Sequence, residues 1–349
     1  MNSLGHRIAK LIETQGPLSI AQFMTIALHD PAAGYYATKD PLGVRGDFVT
    51  APEISQMFGE LIGAWCAEVW QQQERPKTIR LVELGPGRGT LMADALRVIR
   101  AVPQFLEALD IVLVEASPHL RAMQHERLKD FSVRWSDRYE PADGPLLLIA
   151  NEFFDALPIR QFVRTERGWC ERMVVAGNDG LGFALSPSPT LIPGTGQAPI
   201  GGVIEVAPAA AALAQDIGRT IARWGGGALI IDYGYEEPGF GETLQAVGRH
   251  RFKDVLANPG AVDVSAHVDF AALAAAASAN AKTFGPIGQS IFLERLGIGE
   301  RRKMLAEKNP DHAFELDMAV ERLTDFTGMG TLFKALAIMP PNTPKPPGF

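Results

Sequence analysis

The sequence predicts an α/β fold: a mostly parallel sheet with helices on both faces. Two observations predict it. Short unbroken apolar runs alternate with amphipathic helical stretches from Ile79 to Ile231, the pattern of parallel strands buried on both sides. The first run ends in a glycine-rich turn, Gly85-Pro86-Gly87-Arg88-Gly89, that feeds directly into a helix. Open α/β sheets bind ligands at such a turn.

Residues 79–84, 111–115, 133–135, 145–150 and 227–231 read as five parallel strands, with helices at 90–99, 117–129 and 208–224. Ahead of them, apolar residues recur at helical spacing from Leu4 to Leu28, broken by Gly16-Pro17. A loop rich in Gly, Pro and Tyr follows, then a single long helix over 50–73. Thr50 is its expected N-cap, with Glu53 three residues on and Pro52 in the first turn. Residues 1–75 are therefore expected to form an N-terminal helical cap, and 76–349 the sheet domain. The rhythm breaks at 159–202, where 160–164 and 169–175 read as a hairpin, an antiparallel insertion. Beyond the fifth strand, 234–264 reads as loop, and 270–279 and 291–326 as helical with a break near Pro310. Residues 332–338 read as an antiparallel last strand at the sheet's edge.

Composition bounds the function. With 46% hydrophobic and 21% charged residues, a sizeable core is possible and global disorder is not indicated. A net charge of −7 argues against a broad nucleic-acid surface and suits a basic protein partner better. Cys66 and Cys170 lie far apart and form no metal pattern, so neither a disulfide framework nor a metal site is expected. No apolar run reaches membrane-spanning length, and no membrane insertion is expected. The N-terminus shows neither an apolar signal core nor the arginine content of a transit peptide, which gives the expectation of a cytoplasmic location.

Gly85, Gly87 and Gly89 let the backbone turn sharply and approach a ligand, and the helix beginning near Thr90 offers free N–H groups there. A dinucleotide site has its third glycine one position later, at Thr90. Glu83, two residues before the first glycine, repels a pyrophosphate but suits an ammonium. The spacing favours an E-x-G-x-G-x-G methyltransferase turn with S-adenosylmethionine as cofactor, whose methionine ammonium needs an acceptor. Glu115, at the end of the second strand, is placed to accept ribose hydroxyl protons, or else is a solvated carboxylate. Asp137, after the third strand, either meets an adenine amino group or closes a turn.

The octapeptide Asn151-Glu152-Phe153-Phe154-Asp155-Ala156-Leu157-Pro158 after the fourth strand resembles the MidA-like family. So do His29-Asp30-Pro31 with Gly34-Tyr35-Tyr36, Gly46-Asp47-Phe48 through Glu60, Glu83 to Leu91, Asp232-Tyr233-Gly234, Asp254-Val255-Leu256, and Asp263 to Phe270. The resemblance implies a class I methyltransferase, Rossmann-like fold and S-adenosylmethionine as cofactor. It also implies a protein substrate methylated on arginine: the family's mitochondrial member acts on a subunit of respiratory complex I, and the lack of a presequence-like start here points to a bacterial relative with a cytoplasmic location.

A protonated, delocalised guanidinium needs carboxylates that orient it and localise its charge. Glu152 is the leading candidate, with Asp155 second unless it only caps the turn before Pro158. Asn151 either binds cofactor or closes the turn. Asp232, ending the fifth strand, is a further catalytic candidate at the pocket rim. Tyr35 and Tyr36 either close over a ligand or pack. Arg249, His250 and Arg251 read as a solvated basic loop, and Asp269 as the N-cap of an Ala-rich helix beside His267. Two rival readings stay open: a methyltransferase for a small molecule or RNA, and a non-catalytic cofactor-binding assembly factor. The oligomeric state is not encoded in any feature of the sequence.

Overall fold

The computed structural model describes residues 1–38, 49–192, 198–248 and 251–349. Residues 46–48 of the family-like segment, and Arg249 and His250, lie outside the described residues. Contacts within the chain gather into two compact units, each built from three separate stretches. One comprises Val49–Phe154, Ala211–Glu237 and Val268–Phe349; the other, Met1–Phe48, Asp155–Ala210 and Pro238–His267.

The first of these, the sheet unit, carries seven main strands: β1 (Ile79–Leu84), β2 (Leu109–Val114), β3 (Val133–Ser136), β4 (Leu146–Asn151), β5 (Gly226–Tyr235), β6 (Lys282–Gly288) and β7 (Phe333–Met339). Their order across the sheet is β6-β7-β5-β4-β1-β2-β3. The first five run parallel. β7 is antiparallel to both neighbours, β5 and β6. The order reverses between β1 and β4, the switch at which such sheets open a crevice beyond the strands' carboxyl ends.

Two expectations need correction here. β7 is antiparallel as predicted, but it is not an edge: β6 pairs outside it. Within β6 only Phe284 and Ile287 are strong apolar residues, and the register shifts between them around Gly285-Pro286, so no periodicity announces the strand. The helix expected over 50–73 is two helices, Ala51–Ile54 and Gln56–Gln72. Ser55 adopts an extended conformation between them and its hydroxyl caps the second, accepting from the Met57 N–H at 3.2 Å. The Thr50 side chain makes no cap hydrogen bond.

Helix Gln56–Gln72 covers one face of the sheet, burying Phe58, Ile62, Trp65 and Val69 with Leu81, Leu147, Ile149, Leu229 and Ile231. Full burial of each such side chain contributes about 1.5–3 kcal/mol. It also lies backbone to backbone on helix Thr90–Ile99. A Cβ at Gly63 would stand 2.5 Å from the Ala95 carbonyl oxygen, and one at Gly59 would stand 3.0 Å from that of Leu91. Four further helices, Gln289–Leu296, Ile298–Lys308, Ala313–Thr324 and Met329–Leu332, lie between β6 and β7. Gly297, at φ +90°, ends the first, and Asn309-Pro310 separates the next two.

The antiparallel unit holds helices Ser3–Gln15 and Ile20–His29 and a sheet in the order Leu18–Ser19, Gly168–Gly177, Arg160–Thr165, Val203–Val206. The hairpin expected at 160–175 forms, with Phe162 opposite Glu171. The stretch expected to be loop, 234–264, instead carries a small sheet of Gln245–Gly248, Arg251–Lys253 and Asp263–Ser265. Strands of three or four residues are too short to show alternation. Among the described residues no helix is long and apolar enough to cross a membrane.

The glycine contact between helices predicts a sign reversal. Alanine is favoured over glycine in helices by about 1 kcal/mol, yet Gly63→Ala overpacks a backbone contact that costs about 1–3 kcal/mol. Urea denaturation should find Gly63→Ala destabilised. Gly299→Ala, with nothing within 4 Å of the new Cβ, should be unchanged or stabilised; equal effects at the two sites would refute the packing role.

Candidate functional site

β1 delivers the chain to a turn that only glycine suits. Gly85, Gly87 and Gly89 have φ of +61°, +53° and +75°, a left-handed conformation that costs other residues about 1–2 kcal/mol each. A Cβ on Gly85 would also lie 2.9 Å from the Phe153 ring. The Gly85 N–H donates to the Val114 carbonyl at 3.1 Å, and the Gly89 N–H closes the turn on Pro86 at 2.8 Å. Helix Thr90–Ile99 starts directly afterwards, with no side-chain cap on its first N–H groups.

Glu83, one residue before the end of β1, is only 3% exposed. Its Oε2 is buried without a hydrogen-bond partner among the described residues. Burial raises the carboxyl pKa to about 8, because the charged form has lost its water and gained no cation. Its charge in turn helps push the buried Cys66 thiol upward, after burial itself.

The second strand end is built around a residue that the sequence reading passed over. Gln124 is fully buried. Its Nε2 donates to the Gly87 carbonyl at 2.7 Å and to Glu115 Oε2 at 3.4 Å, and its Oε1 accepts from Trp135 Nε1 at 2.7 Å. One side chain thus ties the glycine turn, the β2 carboxylate and β3 together. Glu115 Oε1 also accepts from the Ser117 N–H at 2.7 Å. Its pKa is raised by burial, against those hydrogen bonds. Asp137 is 80% exposed at its side chain and pairs with Arg121 at 2.5 Å. The Thr90 hydroxyl bonds to Glu53 and receives Arg127, so its contribution to a ligand is left to its backbone.

At the end of β4, Asn151 is buried, its Nδ2 donating to Glu152 Oε1 at 3.2 Å, while its own Oδ1 has no partner among the described residues. Glu152 turns the chain with φ +50°, a strained conformation for a side chain with a Cβ. It is held there on several sides. Its N–H donates to Ile231 at 2.9 Å and its Oε1 accepts from the Ala51 N–H at 3.0 Å. Asp232, fully buried at the end of β5, takes the next two N–H groups of the turn on Oδ2, Phe153 at 3.1 Å and Phe154 at 2.9 Å, and that of Tyr233 on Oδ1 at 2.9 Å.

Asp155 falls in the antiparallel unit. There its carbonyl accepts from Ala266 at 3.0 Å, and its charge joins that of Asp263 in raising the Tyr36 pKa, chiefly set by burial. Tyr36 donates to Asp263 Oδ1 at 3.1 Å and meets Tyr35 edge to face at 5.3 Å. Tyr35 is fully buried. Asp269 caps helix Phe270–Ser278, accepting from Ala272 at 2.9 Å.

Comparison with known proteins identifies the family. A family model of S-adenosyl-L-methionine-dependent methyltransferases matches residues 61–287. The protein arginine methyltransferase NDUFAF7, mitochondrial, of Xenopus tropicalis is 38% identical over 97% of this chain and 85% of its own. The chain belongs to the MidA-like family of S-adenosylmethionine-dependent methyltransferases. The human relative of the same name is 35% identical over 94% of this chain and 81% of its own. A Burkholderia thailandensis structure with bound S-adenosyl-homocysteine superposes with a TM-score of 0.86 at 29% identity, covering 99% of this chain and 94% of that one. The fold is that of a class I methyltransferase and the cofactor is S-adenosylmethionine. The curated relatives overturn one expectation drawn from the N-terminus, a bacterial cytoplasmic location: their names place them in mitochondria.

The residues of the sheet unit fit that cofactor. A buried carboxylate oxygen lacking a partner suits an ammonium, and left-handed glycines beside an uncapped helix start leave backbone N–H groups open to a ligand. The carboxyl environment of Glu83 also predicts a pH dependence. Its folded pKa, about 8, lies above the ordinary 4.5, so between those values the folded chain holds the proton more firmly than the unfolded chain. Stability of the cofactor-free protein therefore falls as pH rises through that window and levels off above it. Urea denaturation at pH 5.5 and 8 should show that slope reduced in Glu83→Gln; identical slopes in both proteins would exclude Glu83 as its source.

Proposed function

We propose that this methyltransferase modifies arginine side chains of a protein substrate, with Glu152 as the residue that orients the guanidinium. The observation that carries the proposal is the Glu152 turn: a carboxylate held in a strained backbone conformation by Ala51, Asn151, Ile231 and the Asp232 clamp. Strain kept up by so many partners marks a position whose geometry matters more than its stability. The name protein arginine methyltransferase, borne by relatives 35–38% identical, supports the choice of arginine.

In this reading Glu83 receives the methionine ammonium, with Gly85, Gly87, Gly89 and the Thr90 backbone shaping the turn around the cofactor. Glu115 receives the ribose hydroxyls and Asn151 Oδ1 accepts a further cofactor donor. Asp137, exposed and paired with Arg121, borders the adenine end at most. S-adenosylmethionine supplies an electrophilic methyl group. Glu152 holds the guanidinium so that one nitrogen faces it in line, and localises the positive charge away from that nitrogen. The nitrogen–methyl bond would form as the methyl–sulfur bond breaks, leaving S-adenosyl-homocysteine, and the proton shed by the nitrogen would pass to Glu152. Asp232, its oxygens taken by backbone N–H groups, acts as a positioning residue through the turn. Asp155, grouped with Tyr36 and Asp263, is given no contact with the guanidinium in this reading. A complex I subunit, the substrate that the family resemblance implies, is the first partner to test.

The test is transfer of tritium from labelled S-adenosylmethionine to a mitochondrial extract and to isolated complex I subunits, followed by amino-acid analysis of the labelled protein. Label is expected in methylarginine. Glu152→Gln should lower kcat by roughly 10²–10³-fold while leaving cofactor affinity unchanged. Label in lysine, RNA or a small molecule, or full activity in the variant, contradicts the proposal.

A further inference from the structure

Helix Ala313–Thr324 of the sheet unit carries two apolar stripes. One faces inward: Leu323 is fully buried and Val320 packs against the main core. The other faces water. Phe314 and Met318, one helical turn apart and so neighbours on one face, are 74% and 49% exposed. An amphipathic helix needs only the first stripe to pack. Further exposed apolar side chains belong to the same helical group: Met304 at 51% and, in the turn before β7, Phe326 at 80%. Scattered single apolar residues on a surface are ordinary, but large ones gathered on one helical group point to a partner.

Charge identifies the kind of partner. Helix Ala313–Thr324 and the turns that flank it hold five carboxylates, Asp311, Glu315, Asp317, Glu321 and Asp325, against Arg322 and His312, whereas the neighbouring helix Ile298–Lys308, which bears Met304, holds Arg301, Arg302, Lys303 and Lys308 against Glu300 and Glu307. His312 is spent on Glu315, and Asp317 on Arg302. Glu315 and Glu321 are exposed on the same helix as Phe314 and Met318. An acidic surface of this kind disfavours anionic lipid and nucleic acid and favours a basic polypeptide. Methionines among the contact residues suit a surface that adapts to irregular apolar side chains.

Position ties this surface to the Glu152 turn. Helix Ala313–Thr324 packs against Ala51–Ile54, whose Ala51 N–H is bound by Glu152. β7, which follows Phe326 and helix Met329–Leu332, sets Lys334 opposite Asp232 and Phe333 opposite Tyr233. Both connections lead to the carboxyl end of β4 and β5.

We propose that the outer face of helix Ala313–Thr324, around Phe314 and Met318, is a docking surface for a basic segment of the protein substrate in which cationic residues alternate with apolar ones. The proposal rests on the protein-substrate reading above. It adds a recognition element that holds the substrate chain outside the methyl-transfer site.

The test uses the full chain saturated with S-adenosyl-homocysteine and a fluorescein-labelled peptide of fourteen alternating Arg and Leu residues, followed by anisotropy. Alternating Arg-Ser and Glu-Leu peptides separate charge from apolar contact. The Arg-Leu peptide should bind more tightly than both, and more weakly as salt rises. The double variant Phe314→Ser/Met318→Ser, altered only at exposed positions, should lose roughly tenfold or more in affinity, equivalent to about 1.4 kcal/mol. Glu315→Lys/Glu321→Lys should lose a similar factor. Unchanged Arg-Leu affinity in either variant, or equal binding of Arg-Ser, overturns the proposal. So does sedimentation showing that the face joins two copies of the chain. Binding is read without methyl transfer. A chain that binds here yet labels no arginine therefore refutes the arginine chemistry alone.

Discussion

Glu83 carries a carboxylate into the end of β1, where 3% of the residue is exposed and one oxygen has no partner among the described residues. Removing such a group from water costs free energy that is returned only when a cation arrives. In the proposed reading, Glu83, with Oε2 unpartnered among the described residues, prepares the fold for a positively charged ligand before the ligand is present. The surrounding architecture keeps that preparation in register. Gln124 fixes the glycine turn to the carboxylate of the next strand. Gly59 and Gly63 let helix Gln56–Gln72 press on the backbone of helix Thr90–Ile99, whose first turn follows directly on the glycine turn. Tied to one another in this way, the glycine turn, Gln124 and the two helices leave little to reorganise on binding.

Three strand ends of the sheet unit supply three carboxylates, and their surroundings give each a different task. Glu83 on β1 is desolvated and short of a partner. Glu152 after β4 is held by backbone and amide donors in a left-handed turn. Asp232 on β5 accepts three backbone N–H groups, those of Phe153, Phe154 and Tyr233. A carboxylate so occupied is a fixture for the backbone around it, and that backbone aims Glu152. Residue type alone does not separate these roles; burial and hydrogen-bond partners do.

Much of the sheet was legible because its signals are local. Five apolar strands, the spacing of Glu83 with Gly85, Gly87 and Gly89, and the hairpin at 160–175 each lie within a short window of sequence. What escaped depends on distance or on ambiguous residues. Gln124, in a polar helix, looks like any solvent-facing glutamine until Gly87 and Trp135 are brought to it. β6 lacks periodicity around Gly285-Pro286, and the small sheet of the antiparallel unit is made of strands too short to announce themselves. The assembly of that unit from three stretches depends on pairings such as Leu18 with Val174, more than 150 residues apart. Asp232 was visible as a charged strand end, while its partners, some 80 residues away, were not.

Proton linkage of cofactor binding tests the Glu83 account most directly. At pH 6.5 the cofactor-free protein should hold Glu83 protonated, since its pKa is about 8, and pairing with an ammonium should ionise it. Titration calorimetry of S-adenosyl-homocysteine in buffers of differing ionisation enthalpy should then register release of close to one proton per bound molecule. Glu83→Gln should bind far more weakly and release none. Tight binding with no proton released by the unaltered protein, or undiminished affinity in the variant, would contradict the account.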